Sequence, residues 1–207
     1  MQKPRLIVTG GTGNLGSVVV ARLSESYDCV VLSLDQGVDL SDEASVRAAV
    51  DRVAQEGAIA GLVHLVGGFA MGSVEATDQA TWGRLLAINL TTTVNCAAAV
   101  LPHLKAQGGG RIVTISAAAS LSQPPGMAAY TVSKAAVNAF IQSLANEVAG
   151  TGITANALLP TTLDTPLNRQ SMDPRTLVPL ARVADTIAWL LSEQGASVNG
   201  ALIPLRG

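Results

Sequence analysis

The sequence predicts a single α/β domain built on an open, doubly wound parallel sheet. Three observations predict it. Short β-branched runs alternate with helical patterns along the chain, the arrangement that yields right-handed strand–helix–strand crossovers. The first strand runs into a glycine-rich turn and then a helix. The chain has 207 residues, 48% of them hydrophobic and 14% charged, enough apolar side chain for one large core. No repeat or composition shift divides it, so residues 1–207 are expected to form one unit.

Composition also excludes function classes. Net charge is −2 and basic residues are not clustered, so neither nucleic acid nor a membrane is expected as partner. No apolar run reads as a span of about 20 residues. Met1-Gln2-Lys3-Pro4-Arg5 lacks the long apolar region of a signal peptide. Cys29 and Cys96 stand in apolar runs and read as buried, reduced thiols of a cytoplasmic protein, without companions for a metal. A small-molecule substrate is the expected partner.

The elements follow in order. Arg5 to Thr9 is strand one, and Thr9-Gly10-Gly11-Thr12-Gly13-Asn14-Leu15-Gly16 is the turn before a helix carrying Val18, Val19, Ala21 and Leu23. Gly11, Gly13 and Gly16 fit a Gly-x-Gly-x-x-Gly spacing, meaningful here because strand and helix flank it. Glycines let the main chain approach a pyrophosphate, and the helix start offers free N–H groups and partial positive charge. Gly10, Gly13, Asn14, Leu15 and Gly16 are therefore candidate cofactor contacts. Cys29 to Leu34 is strand two, and Asp35 stands 19 positions beyond Gly16. A carboxylate there accepts hydrogen bonds from ribose hydroxyls and repels a 2′-phosphate. No arginine or lysine lies in the glycine turn or just after Asp35, so NADH is favoured over NADPH.

Gly37-Val38-Asp39-Leu40 reads as a stub of strand three, with Asp39 and Leu40 flanking an adenine. Ser41 is expected to cap a helix through Gln55, with Asp42 and Glu43 in its first turn. Leu62 to Val66 is the next strand, ending in Gly67-Gly68, which let the chain pass close to a dinucleotide. His64 in that strand reads as a packed histidine, and Phe69 to Gly72 as an active-site loop. Thr77 to Leu104 carries one long helical pattern with Asn89 inside it and Pro102 ending or kinking it. Arg111 to Ser116 is a strand, followed by Ala117-Ala118-Ala119-Ser120. A helix covers about Ala128 to Val148. Ile153 to Leu159 is a strand ending at Pro160. Thr161 to Pro179 reads as a mobile substrate loop, Leu180 to Leu191 as a helix and Ala201 to Leu205 as the last strand.

Tyr130 and Lys134 stand at i and i+4 of the helix, on one face. A free tyrosine has a pKa of about 10. A fixed ammonium beside it favours the phenolate and lowers that value, so that the hydroxyl passes a proton to or from a carbonyl, alcohol or imine.

The glycine turn, Asp35, Asn89, the Tyr130/Lys134 pair and Pro160, in this order, resemble the short-chain dehydrogenase/reductase family over nearly the whole chain. The resemblance implies a Rossmann fold and a dinucleotide-dependent oxidoreductase. By position it implies that Tyr130 is the proton donor and that Lys134 lowers its pKa and holds the nicotinamide ribose. Asn89 would anchor a water-linked proton path to that lysine. Leu163 and Thr165, after Pro160, would hold the carboxamide. A homodimer or homotetramer is implied too, with the helices starting near Thr77 and Ala128 as candidate interfaces.

Three departures stand out. Asn14 replaces a glycine, His64-Leu65-Val66-Gly67 replaces the usual Asn-Asn-Ala-Gly, and Ala117 occupies the position of the family's serine. Ser116 should point elsewhere by strand alternation, and Ser120 is a further possibility. The alanine, Pro125-Gly126-Met127-x-x-Tyr130 and the run Leu159 to Arg169 are similar to the dihydropteridine reductase branch, which uses NADH to reduce quinonoid dihydropterin. The expected activity is NADH-dependent hydride transfer to such an electron-poor acceptor. The alternatives are a general carbonyl/alcohol oxidoreductase using Ser116 or Ser120, and a dinucleotide-binding regulator without turnover.

Overall fold

Short runs of β-branched and aliphatic residues, buried on both faces in the central strands, make a parallel sheet that helices must cover. The computed structural model describes residues 3–207; Met1 and Gln2, the start of the expected lead-in, lie outside the described residues. The strands are β1 (Arg5–Thr9), β2 (Asp28–Leu32), β3 (Ile59–His64), β4 (Gly110–Ile115), β5 (Ile153–Pro160) and β6 (Leu202–Leu205). They form one six-stranded sheet in the order β2-β1-β3-β4-β5-β6, with every pairing parallel. The helices are α1 (Asn14–Leu23), α2 (Glu43–Glu56), α3 (Gln79–Leu86), α4 (Thr92–Ala106), α5 (Ala119–Ser122), α6 (Ala128–Glu147) and α7 (Leu180–Leu191).

Strand alternation splits the core into two layers. Ile7, Leu62, Ile112 and Leu159 face the layer closed by α2, α4 and α6. Leu6, Val8, Val63, Val113 and Leu158 face the layer closed by α1 and α7. Truncating a fully buried member such as Ile141 to alanine is expected to cost about 2–5 kcal/mol. Chain order reverses between β1 and β3, so a crevice opens at their carboxyl ends, where such sheets bind ligands.

Several local expectations change. The stub of strand three is absent. Gly37 has left-handed φ (77°) and closes a single 3-10 turn, Leu34–Gln36. Val38 and Leu40 then plug into the core, leaving no free stretch to pair, and β2 is the sheet edge. Strand two ends at Leu32, so Asp35 lies on that turn and is exposed. Asp42 rather than Ser41 caps α2, accepting from Ala44 N at 3.0 Å. Ser41 instead donates to Asp39.

The pattern from Thr77 to Leu104 resolves into α3, one π-helical turn (Ala87–Thr91) and α4. Pro102 does not end the run, because it sits inside α4, which continues to Ala106. Residues Gln79–Ala106 form 28 helical residues long and apolar enough to cross a membrane, contrary to the sequence expectation, but half of the most apolar window is buried within the fold. The helix α5 was not expected. The 161–179 segment contains two 3-10 turns and is clipped at its base by the Leu163–Val178 bridge. Cys96 is buried, whereas Cys29 on the edge strand is only partly so.

Candidate active site

The glycine turn is shaped residue by residue. Gly10 has φ +70°, and its carbonyl accepts from Gly13 N at 3.2 Å. A Cβ on Gly16 would collide with Gly10 O, and one on Gly11 would lie 2.8 Å from a Val31 methyl. These two glycines let α1 and β2 close on the turn. Gly13 differs: a Cβ there would meet only Gly10 O, at 3.5 Å. It is the N-cap of α1 and offers no side chain to the first-turn N–H groups of Asn14, Leu15 and Gly16. No acidic residue occupies that turn. Open space before uncapped amides at a helix start suits a phosphate, so these residues fit the pyrophosphate of a dinucleotide.

Opposite lies the loop after β3. Asn89, 1% exposed on the π-helical turn, holds it. Its Oδ1 accepts from Gly68 N at 2.8 Å, and its Nδ2 donates to Gly68 O at 3.1 Å and Ser133 Oγ at 2.9 Å. Ser133 Oγ in turn donates to Tyr130 O at 2.7 Å. The Asn89 amide is thus engaged on one side with the glycine loop and on the other with α6. A Cβ on Gly67 would lie 2.8 Å from Asn89 Oδ1 and 2.9 Å from Lys134 Nζ, so a larger residue there would push both groups aside. The role implied for Asn89 was a water-linked proton path; the contacts seen are a clamp between the loop and the Tyr130–Lys134 helix. Ser133 was missed in the sequence, although a serine inside a helix beside Lys134 was the available signal.

Lys134 is 5% exposed, and its Nζ donates to Ile115 O at 2.9 Å. Burial pushes its pKa down to about 8 and that of Tyr130 up to about 12. In the protein alone burial, rather than the Lys134 charge, sets the direction of the Tyr130 shift. Desolvation dominates at both groups, and the ammonium is spent on a backbone carbonyl. Tyr130 keeps its proton at neutral pH. The Phe69 ring stands edge-to-face with it, centroids 4.9 Å apart and planes at 79°. Phe69 is 55% exposed, and its loop is tied to the residues before α6 by Gly72 N donating to Gly126 O at 2.8 Å.

Both neighbouring serines are engaged away from the position of the missing one. Ser116 Oγ donates to Lys134 O at 3.1 Å, on the α6 side, as alternation along β4 requires. Ser120 Oγ donates to Ala117 O at 2.6 Å and accepts from Asn138 Nδ2 at 2.8 Å. Both hydroxyls are buried and committed.

His64 is also committed. Thr92 Oγ1 gives its one proton to Ile88 O at 2.7 Å and lies 3.2 Å from His64 Nε2, which must then be the donor. Nδ1 accepts from Thr9 Oγ1 at 2.8 Å. Burial, with Lys134 nearby, pushes the ring down to about 3, so it is neutral. It ties the strand before the glycine turn to the helix carrying Asn89.

The remaining candidates lie at or beyond the carboxyl ends of β2 and β5. Asp39's carboxylate is hydrogen-bonded by Ser41, which lowers its pKa. Leu40's side chain is in the core, leaving its main chain as the part available to a ligand. Pro160 O accepts from Ala118 N, and Leu163 O accepts from Thr165 N and Asn168 Nδ2. Thr165 Oγ1 accepts from Asn168 N. Among the described residues no group of three or more His, Cys, Asp or Glu is arranged to hold a metal. Two surface depressions, one on α7 around Trp189 and one along the β2 edge, do not include Tyr130.

Residues 34–176 match the family model described as short chain dehydrogenase. The 2-(R)-hydroxypropyl-CoM dehydrogenase of Xanthobacter autotrophicus is 34% identical over 82% of this chain and 74% of its own length. The 2-dehydro-3-deoxy-L-rhamnonate dehydrogenase (NAD(+)) of a Sphingomonas species is 32% identical over 93% of this chain and 85% of its own. Among solved structures, gox2181 superposes with a TM-score of 0.89 at 28% identity, over 99% of this chain and 95% of that one. The 3-ketoacyl-(acyl-carrier-protein) reductase of Brucella melitensis, complexed with NADH, has the same fold: TM-score 0.90, 22% identity, 99% and 97% coverage.

Proposed function

The chain belongs to the short-chain dehydrogenase family, and on that premise we propose that it is an NADH-dependent reductase of a flat, electron-poor π-system such as quinonoid dihydropterin. One observation carries this reading: Ala117 stands where a serine would, and the hydroxyls of Ser116 and Ser120 are engaged elsewhere. A ketone oxygen gathers negative charge during reduction and benefits from two preorganised donors. An imine-like acceptor that takes up one proton needs only Tyr130. The half-exposed Phe69 ring beside Tyr130 adds an apolar wall suited to a flat ring system.

The chain's residues divide the work. Gly10, Gly13, Asn14, Leu15 and Gly16 would hold the pyrophosphate, and Asp35 the adenosine ribose, its negative charge favouring NADH over NADPH. Gly67 and Gly68, fixed by Asn89, would border the dinucleotide, and Pro160, Leu163 and Thr165 would lie on the carboxamide side. The bound nicotinamide supplies the hydride. Tyr130 holds a proton at neutral pH and gives it to the acceptor. Lys134 is still charged there and stabilises the phenolate left behind. We further propose a cytoplasmic homodimer or homotetramer associating through α4 and α6, testable by sedimentation.

The relatives' names favour a second reading, carbonyl/alcohol interconversion, since they are dehydrogenases of hydroxylated compounds. Initial rates with NADH and NADPH against quinonoid dihydropterin, a quinone and a simple ketone separate the two. Good ketone turnover without pterin turnover would overturn the first reading. A preference for NADPH would overturn the role given to Asp35. Tight NADH binding without turnover of any acceptor would point to a regulator.

A further inference from the structure

His64 is the last residue of β3, and its register partner Thr9 is the last residue of β1. These two strands flank the crevice, so the pair lies at its base. Just beyond the pair the chain divides into two walls. Gly10 opens the glycine turn on one side, and Leu65 to Gly68 form the loop after β3 on the other. The walls meet closely there: a Cβ on Gly10 would lie 3.1 Å from Val66 Cγ2 and 3.2 Å from Val66 N. A shift of one strand end against the other therefore changes the separation of the walls.

The rest of β3 is apolar, Ile59 to Val63, and an aliphatic side chain at 64 would need no partners. A buried imidazole needs two, and it has both. Nδ1 accepts from Thr9 Oγ1 at 2.8 Å, and Nε2 donates to Thr92 Oγ1 at 3.2 Å. Thr92 begins α4 and gives its own proton to Ile88 O at 2.7 Å. Ile88 precedes Asn89, whose amide holds both Gly68 N and Gly68 O. Ile88 also packs over Gly68, where a Cβ would lie 2.9 Å from Ile88 Cγ2. One rigid ring thus joins the residue before the glycine turn to the helical turn that holds the opposite wall.

We propose that His64 is a positioning residue for the dinucleotide: the Thr9–His64–Thr92 connection holds the glycine turn and the Gly67–Gly68 loop at the separation at which both meet the cofactor. This role rests on the dinucleotide part of the proposed function and is independent of the acceptor. The ring acts through Thr9 and Thr92 and touches no ligand itself. Its two hydrogen bonds work as one unit, because breaking either one disconnects the walls.

The test uses Thr9→Val and Thr92→Val, which remove one hydroxyl each at nearly constant volume, their double variant, and Thr9→Ser and Thr92→Ser, which keep the hydroxyls. NADH is titrated by its fluorescence at a temperature where every variant is folded, and Tm is recorded beside it. Each valine variant should bind NADH about 3–10-fold more weakly, the worth of one hydrogen bond. The double variant should be no weaker than the weaker single, and each serine variant should stay near wild type. Ile141→Val, a packing loss in the same core layer, should lower Tm without changing NADH affinity. Valine variants that lower Tm but bind NADH as wild type does overturn the proposal, as do losses that multiply in the double variant or an equal loss in Ile141→Val. Wild-type protein that binds no dinucleotide overturns the cofactor reading and this role with it. Wild-type protein that binds NADH but reduces no pterin overturns the acceptor reading alone.

Discussion

Acidification should loosen this protein through one histidine. His64 is 1% exposed, accepts from Thr9 and donates to Thr92, and titrates near 3 rather than 6.5. Below the unfolded value the unfolded chain binds a proton that the folded chain refuses, so stability falls as pH drops from 6.5 towards about 3 and is fully present above that window. Integrating the shift gives a loss of about 2 kcal/mol between about pH 7.5 and pH 5, and about 4 kcal/mol by pH 3. The second figure approaches the whole stability of the less stable domains. Urea unfolding across this range would read the slope for wild type and for His64→Gln. The variant starts less stable but should lose about 2 kcal/mol less over the same interval. His103→Asn, at a half-exposed site beside Asp51, is the control for the other histidine. Parallel curves for wild type and His64→Gln would refute the reasoning.

Other outcomes follow from the same contacts. Ala117→Ser should raise turnover of a simple ketone about 3–10-fold, the worth of one added hydrogen bond, and leave the π-acceptor rate nearly unchanged; paired kinetics check it. Asn89→Ala should destabilise the fold by about 1–3 kcal/mol in urea, because Gly68 and Ser133 lose their partner, and should weaken NADH binding by fluorescence titration. Burial lowers the Lys134 pKa, so its charge is lost as pH rises through about 8. The pH profile of kcat/KM should fall above that value as a single ionisation, and Lys134→Arg should move the fall to higher pH.

Long-range pattern was legible in the sequence where it rested on chain-wide periodicity. The strands, the glycine turn and the helix bearing Tyr130 and Lys134 are local motifs, and the parallel sheet follows from their alternation. Boundaries decided by tertiary packing were not legible. Val38 and Leu40 have the alternation of a strand, yet the core takes both side chains and Gly37 turns the chain away. Pro102 reads as a helix end or a kink, and α4 packs onto the sheet and runs past it. At the site, the residue types were readable but their partners were not. Spacing put Tyr130 and Lys134 on one face without showing that Ile115 O takes the ammonium or that burial raises the tyrosine. Ser133 became visible only through its hydrogen bonds, which no single-residue pattern encodes.

The central claim is that a tyrosine without its serine serves an electron-poor ring better than a ketone. Initial rates of NADH oxidation with quinonoid dihydropterin and with a simple ketone, for wild type and Tyr130→Phe, test it most directly. The account predicts kcat/KM for the pterin well above that for the ketone, falling about 10²–10⁴-fold when Tyr130 loses its hydroxyl. A ketone rate exceeding the pterin rate, or a pterin rate indifferent to Tyr130→Phe, would contradict it.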